Sequence, residues 1–228
     1  ILNMKENRGH ARCNAFGIRY IFQNKKFDYL ILMDGDGEDR PVEIKSLVEK
    51  IKESPKISIV AKRVKRSEGP FFQLLYILHK LITYFFTGKK INFGNYSLLI
   101  KDDVEKLHSK PSLWSSFSGS VKKHINSLNE INSIRGIRYF GPSQMSLMKL
   151  IIHSFSIIAV FRYQVFLRST LIIIALFYLN AYLGNFSIIF QILIVIFNLI
   201  IFIVSKREME KDLINSHHNL DNIKKIIQ

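Results

Sequence analysis

The chain has 228 residues, with 33 Lys and Arg against 18 Asp and Glu, giving a formal net charge of +15. That length suits one soluble domain plus a membrane element, or two small domains. The charge favours anionic partners such as nucleic acid, acidic lipid head groups or phosphorylated substrates, and the single Cys13 excludes an intrachain disulfide or a cysteine zinc cluster.

Residues 8–22 read as a helix whose buried stripe is Ala11, Ala15, Ile18 and Phe22. Residues 27–33 read as a strand. Residues 41–54 read as a second helix, with Pro41 at its start and Ile44, Leu47, Val48 and Ile51 at helical spacing. A second strand follows at 57–61. This helix–strand–helix–strand order predicts an α/β layer with parallel strands.

Residues 71–86 are apolar nearly all round, with Gly88 as a stop. The segment contains His79 and Lys80 and is short for a membrane crossing, so it reads as a buried or membrane-contacting helix. A strand at 96–100, a short helix at 103–108, a helix at 112–128 and an edge strand at 136–140 complete the first part.

Ser143 is a suitable N-cap for a helix at 145–163. That helix carries Met148, Ile151, Ile152, Phe155, Ile158 and Ala159, with Lys149, His153 and Arg162 as its polar members, and reads as an interfacial amphipathic helix. Residues 169–205 contain no charge. Leu183-Gly184-Asn185 divides the apolar region into segments 164–183 and 186–204, each near the length that crosses a bilayer. Arg162 and Arg168 precede the pair and Lys206 and Arg207 follow it, so the positive-inside rule places both outer ends in the cytoplasm as a hairpin. A buried helical pair in a soluble core is the competing reading. The polar tail, 206–228, reads as a cytoplasmic helix or a disordered segment. This apolar region turns the charge reading from nucleic acid toward a membrane surface and phosphorylated substrates.

Three motifs can carry chemistry. Asp34-Gly35-Asp36-Gly37-Glu38-Asp39 follows the apolar run 29–33 directly. In an extended segment Asp34 and Asp36 point the same way, and a strand end in an open α/β sheet faces the usual ligand crevice. Hard carboxylate oxygens suit Mg²⁺ or Mn²⁺, ions that commonly bridge substrate phosphates. A calcium loop starting at Asp34 needs Gly at 39 and Glu at 45, where Asp39 and Lys45 stand, so that reading fails. An acidic turn capping the following helix is the plain structural alternative. The second motif, Lys62-Arg63-Val64-Lys65-Arg66-Ser67-Glu68, also follows a strand and could hold a diphosphate or lipid phosphate; a solvated basic loop is its alternative. The third is Phe93-Gly94-Asn95-Tyr96-Ser97, in which Gly94 permits close ligand approach or simply a turn.

Asn7-Arg8-Gly9-His10-Ala11, the Met33-to-Pro41 stretch, Ala61-Lys62-Arg63 with Arg66-Ser67-Glu68, and Phe93-Gly94-Asn95-Tyr96-Ser97 occur together in an order and spacing that resembles family 2 glycosyltransferases. The polyprenyl-phosphate branch is the nearest in appearance, similar to dolichyl-phosphate mannosyltransferases and bactoprenol glucosyltransferases. Ser143-Gln144-Met145-Ser146, the amphipathic helix and the two-span hairpin are similar to that branch's anchor. The resemblance implies a partial nucleotide-sugar-binding domain of the glycosyltransferase A type at 1–142, an interfacial helix at 143–163, a transmembrane hairpin at 164–205 and a cytoplasmic tail at 206–228.

It further implies that Asp34 and Asp36 hold a divalent metal and the donor diphosphate. Arg63 and Arg66 would lie near the lipid phosphate, with Ser67, Glu68 and Asp39 around the substrates. Asn95 stands where many members carry Asp, so it would position sugar or acceptor by hydrogen bonding rather than act as a base. The implied partners are a nucleotide-sugar donor, a polyprenyl phosphate and the membrane, without nucleic acid; a homo-oligomer stays open. Members open with a base-binding strand and loop well upstream of the Asp-x-Asp, and only 33 residues precede Asp34 here, so an N-terminally truncated catalytic domain is expected. The rival readings are an inactive membrane-anchored fragment and a charge-driven membrane-surface protein.

Overall fold

The computed structural model describes residues 1–65, 70–141 and 146–224. Strand β1 (Leu2–Met4) leads into α1 (His10–Asn24), which buries Ala15, Phe16 and Ile18 at helical spacing. Strand β2 (Tyr29–Leu32) ends at the acidic loop, and Pro41 opens a 3₁₀ turn (Pro41–Glu43) that runs into α2 (Ile44–Glu53). Then follow β3 (Ile59–Lys65), α3 (Pro70–Thr87) and β4 (Phe93–Ile100). Helix α3 stops at Gly88, whose φ of +70° is open to glycine at little strain. Helices α4 (Lys101–Leu107), α5 (Pro111–Ser115) and α6 (Phe117–His124) precede β5 (Asn129–Ile134).

The main sheet has the order β2-β4-β3-β5. Strand β4 runs antiparallel to both neighbours, pairing Leu98 with Ile31 and with Ile59, while β3 and β5 are parallel. The expected parallel layer is therefore mixed: β2 and β3 do share a direction, but an antiparallel strand separates them. Residues 136–140 are not the edge strand; β5 is, because its backbone continues the ladder from Asn129 opposite Ile59. The helix expected over 112–128 is two short helices broken at Ser116, whose side chain caps the second by accepting from Gly119 N–H.

Side chains alternate across the sheet with period two. Ile59, Ala61, Tyr96, Leu98 and Ile100 pack under Leu47 and Ile51 of α2. Val60, Leu99 and Phe93 face the other way, into a core shared with α1, α4, α5 and α6.

The C-terminal helices join this second core. Helix α7 (Leu147–Ala159) is capped by Ser146, which accepts from Lys149 N–H; the expected cap, Ser143, lies outside the described residues. The chain then turns by 86° into α8 (Arg162–Tyr178). The elbow residues Val160 and Phe161 are fully buried against Trp114, Phe117 and Val121, and Lys123 donates to the Val160 carbonyl at 2.9 Å. Gly119 allows this approach, since a Cβ there would sit 3.0 Å from the Val160 side chain.

A short α9 (Asn180–Leu183) and Gly184 reverse the chain into α10 (Asn185–Ser205). Helices α8 and α10 form a helical hairpin, with Ser187 donating to the Leu176 carbonyl and Arg162 paired to Glu208 at 2.7 Å across its open end. Small polar residues face inward (Ser169, Ser187, Ser205), while Leu171, Phe177, Ile189, Leu193 and Leu199 point out. The tail, expected as a polar helix or disorder, instead returns through α11 (Glu210–Ile214) and a 3₁₀ turn (Asn215–Asn219) to β6 (Leu220–Ile223), which pairs antiparallel with β1. Leu213, fully buried in the main core, holds it there.

Candidate functional site

The acidic loop leaves β2 at the carboxyl end of the strands, where Arg63 from β3 and Asn95 from β4 also arrive. This is the edge at which open α/β sheets bind ligands. Asn95 Nδ2 donates to Asp34 Oδ1 at 3.1 Å, so two of the sequence-derived site residues meet directly. Asp39 is buried; one oxygen accepts from Asp34 N–H at 3.0 Å and the other faces Arg63 Nη2 at 3.3 Å. Asp39 thus shapes the loop from beneath. Burial pushes its carboxyl above the usual range, and the Asp34 charge adds to this, against the lowering pull of the Asp34 N–H and Arg63.

Asp36 is held differently. Its Oδ1 accepts from Glu38 N–H at 3.0 Å and its Oδ2 faces Arg138 Nη2 at 3.0 Å. Arg138 also donates to Glu38 at 2.8 Å, and Arg135 pairs with the same carboxylate. The segment after β5 therefore crosses the acidic loop, fastened by Gly136 N–H to Glu38 O and Tyr139 N–H to Asp36 O. Gly37, at φ +92°, is required here: a Cβ would meet the Ile137 carbonyl and the Tyr139 ring at 2.9 Å. These two arginines escaped the sequence reading, which took their segment for a strand. Their Arg-x-x-Arg spacing directly after the segment that forms β5 was the available signal.

The loop's far side is braced by Glu43. Burial alone would raise its carboxyl. Hydrogen bonds from Ile134 N–H, Ser133 and Arg40 outweigh that and hold it below the usual range. Tyr96 donates to the Arg40 carbonyl at 3.0 Å, and its phenol is pushed up to about 12 by burial and by the Glu43 and Asp39 charges. Arg66, Ser67 and Glu68, expected near the substrates, lie outside the described residues.

Two carboxylates on a loop are the donor set through which Mg²⁺ or Mn²⁺ is commonly held, with waters and phosphate oxygens completing the octahedron. Among the described residues no group of three or more His, Cys, Asp or Glu is assembled to enclose an ion. Asp34 Oδ1 is engaged by Asn95 and Asp36 Oδ2 by Arg138, so a metal taking both carboxylates would have to displace Arg138 from Asp36.

A family model, "Glycosyl transferase family 2", matches residues 1–115, a span that includes the acidic loop, Arg63 and Asn95. The chain belongs to glycosyl transferase family 2. Family 2 membership supplies the general reaction, transfer of a glycosyl group from a nucleotide sugar. A comparison with curated proteins finds no match. Arg135, Arg138 and the C-terminal helices α7 to α10 lie beyond the stretch matched to family 2.

Proposed function

We propose that this family 2 chain moves a hexose from a nucleoside diphosphate sugar to a polyprenyl phosphate at a membrane surface, with a divalent metal held by Asp34 and Asp36. The observation that carries this reading is the position of Arg63. Its guanidinium meets Asp39 beneath the acidic loop and lies close enough to His153 of α7 to act on that imidazole. One cation thus belongs to the carboxylate loop and also acts on α7, an apolar helix whose Leu147, Met148 and Ile151 are exposed.

In this reading the phosphate oxygen of the acceptor attacks C1 of the sugar. The new C1–O bond forms as the bond to the diphosphate breaks, and the nucleoside diphosphate leaves with the electron pair. The acceptor phosphate is already largely anionic, its second pKa being roughly 6 by analogy with phosphomonoesters. It needs positioning more than deprotonation, which agrees with Asn95 rather than a carboxylate beside Asp34. A bound metal would neutralise charge on the leaving diphosphate. Arg63 would face the acceptor, and Asp39 would hold both Arg63 and the loop in register.

The membrane part rests on the hairpin. Helix α10 is long and apolar enough to cross a bilayer, and only 11 % of its most apolar window is buried. So much exposed apolar surface calls for lipid or a partner to cover it. The inward small polar residues and outward Leu, Ile and Phe are the pattern of helices packed in lipid.

The test is turnover by the purified full chain in detergent, with a panel of nucleotide sugars and farnesyl phosphate as acceptor. Asp34→Asn is expected to reduce kcat by roughly 10³-fold, and EDTA to abolish turnover of the unmodified chain reversibly. Turnover that survives both would overturn the metal assignment. Transfer to water alone, at the same rate with and without the lipid, would overturn the acceptor.

A further inference from the structure

Near the start of α1, arginine and histidine side chains gather without carboxylate partners. The His10 and His153 rings, from α1 and α7, stand with centroids 5.5 Å apart. The charged neighbours acting on His153 are His10, His79, Arg207 and Arg63, all of one sign, and Arg207 in turn feels Arg12. Arg63 has Asp39 and Arg162 has Glu208. Among the described residues, His10, Arg12, His153 and Arg207 form no ion pair with any carboxylate. Arg207 is also partly buried, where its repulsion with Arg12 is stronger than in water, and the half-buried His153 is disfavoured as a cation.

The backbone adds to this field. Helix α1 is 15 residues long, has no side-chain cap at Gly9 and carries no acidic residue in its first turn. Its first N–H groups and positive dipole end are left for a ligand. A cavity of about 450 Å³ opens beside this helix start, lined in part by Gly9, His10, Arg12 and Trp114. Trp114 is 3 % exposed, and its Nε1–H has no hydrogen-bond partner among the described residues. Glu6, the carboxylate on that wall, is taken up by Arg8. Of the charged side chains on that wall, Arg12 alone is then without a carboxylate among the described residues, with His10 beside it.

We infer that His10, Arg12, His153 and Arg207, together with the start of α1, form a binding site for a phosphate-group anion at the junction of the α/β domain and the apolar helices. The proposal deepens the acceptor half of the transfer reading, and rests on it only for the source of the phosphate. A dianion here would neutralise the cluster and accept from imidazole, guanidinium and indole N–H groups. It would place a phosphate where α7 and the end of α10 meet the domain, within reach of Arg63.

The experiment is calorimetric titration of the full chain in nonionic detergent with inorganic phosphate and, separately, farnesyl phosphate. Imidazole ¹⁵N shifts of the labelled histidines are followed alongside. Both probes are expected to bind and to move the His10 and His153 signals. Arg207→Gln and, independently, His153→Gln are expected to weaken binding roughly tenfold or more, as for loss of one charge-assisted contact. Tighter binding of farnesyl phosphate supports a lipid-borne phosphate, and equal binding supports a soluble one. Affinity unchanged in both variants, or no binding of either probe, overturns the site. Asp34→Asn separates the two readings: it is expected to leave phosphate affinity unchanged while removing turnover. Turnover that persists in that variant, with Arg207-dependent binding intact, would sink the metal assignment and leave the anion site standing.

Discussion

The acidic loop and the surroundings of His153 handle charge in opposite ways. Around the acidic loop, Asp36 and Glu38 face Arg138, Glu38 also faces Arg135, Asp39 faces Arg63 and Glu43 faces Arg40. That side is compensated from within at every carboxylate but Asp34, which meets the neutral Asn95. Around His153 the groups that lower its pKa are His10, His79, Arg207 and Arg63, and of these Asp39 answers Arg63. A compensated cluster can stabilise a fold; an uncompensated one is tolerated only if few of its members are charged or an anion arrives. The difference separates a preformed loop from a surface that acquires its final electrostatics on binding.

The comparison can be broken at several points. The largest expected effect is on the compensated side. Glu43→Ala removes the partner of Ser133, Ile134 N–H and Arg40 at once and leaves them buried or half-buried. Loss of about 3 kcal/mol of stability is expected by chemical denaturation in detergent. A loss below the scatter of the measurement would mean that solvent reaches this cluster.

Acid tests the other side. His153 is pushed down to about 4, first by burial and then by His10, His79, Arg207 and Arg63. His124, beside Ser112, is also pushed down to about 4, first by burial and then by Lys123 and Lys110. Both are depressed histidines, so the unfolded chain binds their protons first, near 6.5, and the folded chain only near 4. Their contribution is fully present above the unfolded value and is lost as pH falls from there toward 4, at up to roughly 1.4 kcal/mol per pH unit for each group. A thermal-melt series from pH 7 to pH 4 checks this. Saturating phosphate is expected to flatten the slope by favouring charged His153, whereas His124 should not respond. An unchanged slope with phosphate would contradict the contrast drawn above.

The smallest effect concerns Arg138. With Gln in its place, Asp36 loses its internal cation, and Mn²⁺ affinity is expected to rise several-fold, by about 1 kcal/mol for a partly exposed pair. Calorimetric titration with Mn²⁺ in the presence of a nucleoside diphosphate reads this directly. Weaker metal binding in Arg138→Gln would show that Arg138 holds the diphosphate rather than competing with the ion.

Much of the local structure was legible along the chain. The apolar stripe of α1, Pro41 before α2, the strand entering the acidic loop and the Gly88 stop all follow from periodicity and cap chemistry within a few residues. Asp34 and Asn95 come together in the sequence only through the family resemblance: in the expected parallel layer the end of β2 and the start of β4 fall on opposite edges, and the antiparallel β4 is what lets them meet. Less visible was the antiparallel β4, because apolar alternation does not carry strand direction. The elbow at Val160 and Phe161 was hidden as well. Two apolar segments joined by a turn read alike whether the junction lies in a core or in lipid.

The sequence by itself determined the α/β character, the carboxylate loop after β2 and the uncharged stretch that becomes the α8–α10 hairpin, since each is written in neighbouring residues. Only the tertiary structure decided which cations answer which carboxylates. Glu38 and Arg138 are 100 residues apart, and the tail strand returns from the far end of the chain to pair with β1. Pairing across such separations depends on how the layers pack, and no local pattern of residues records it.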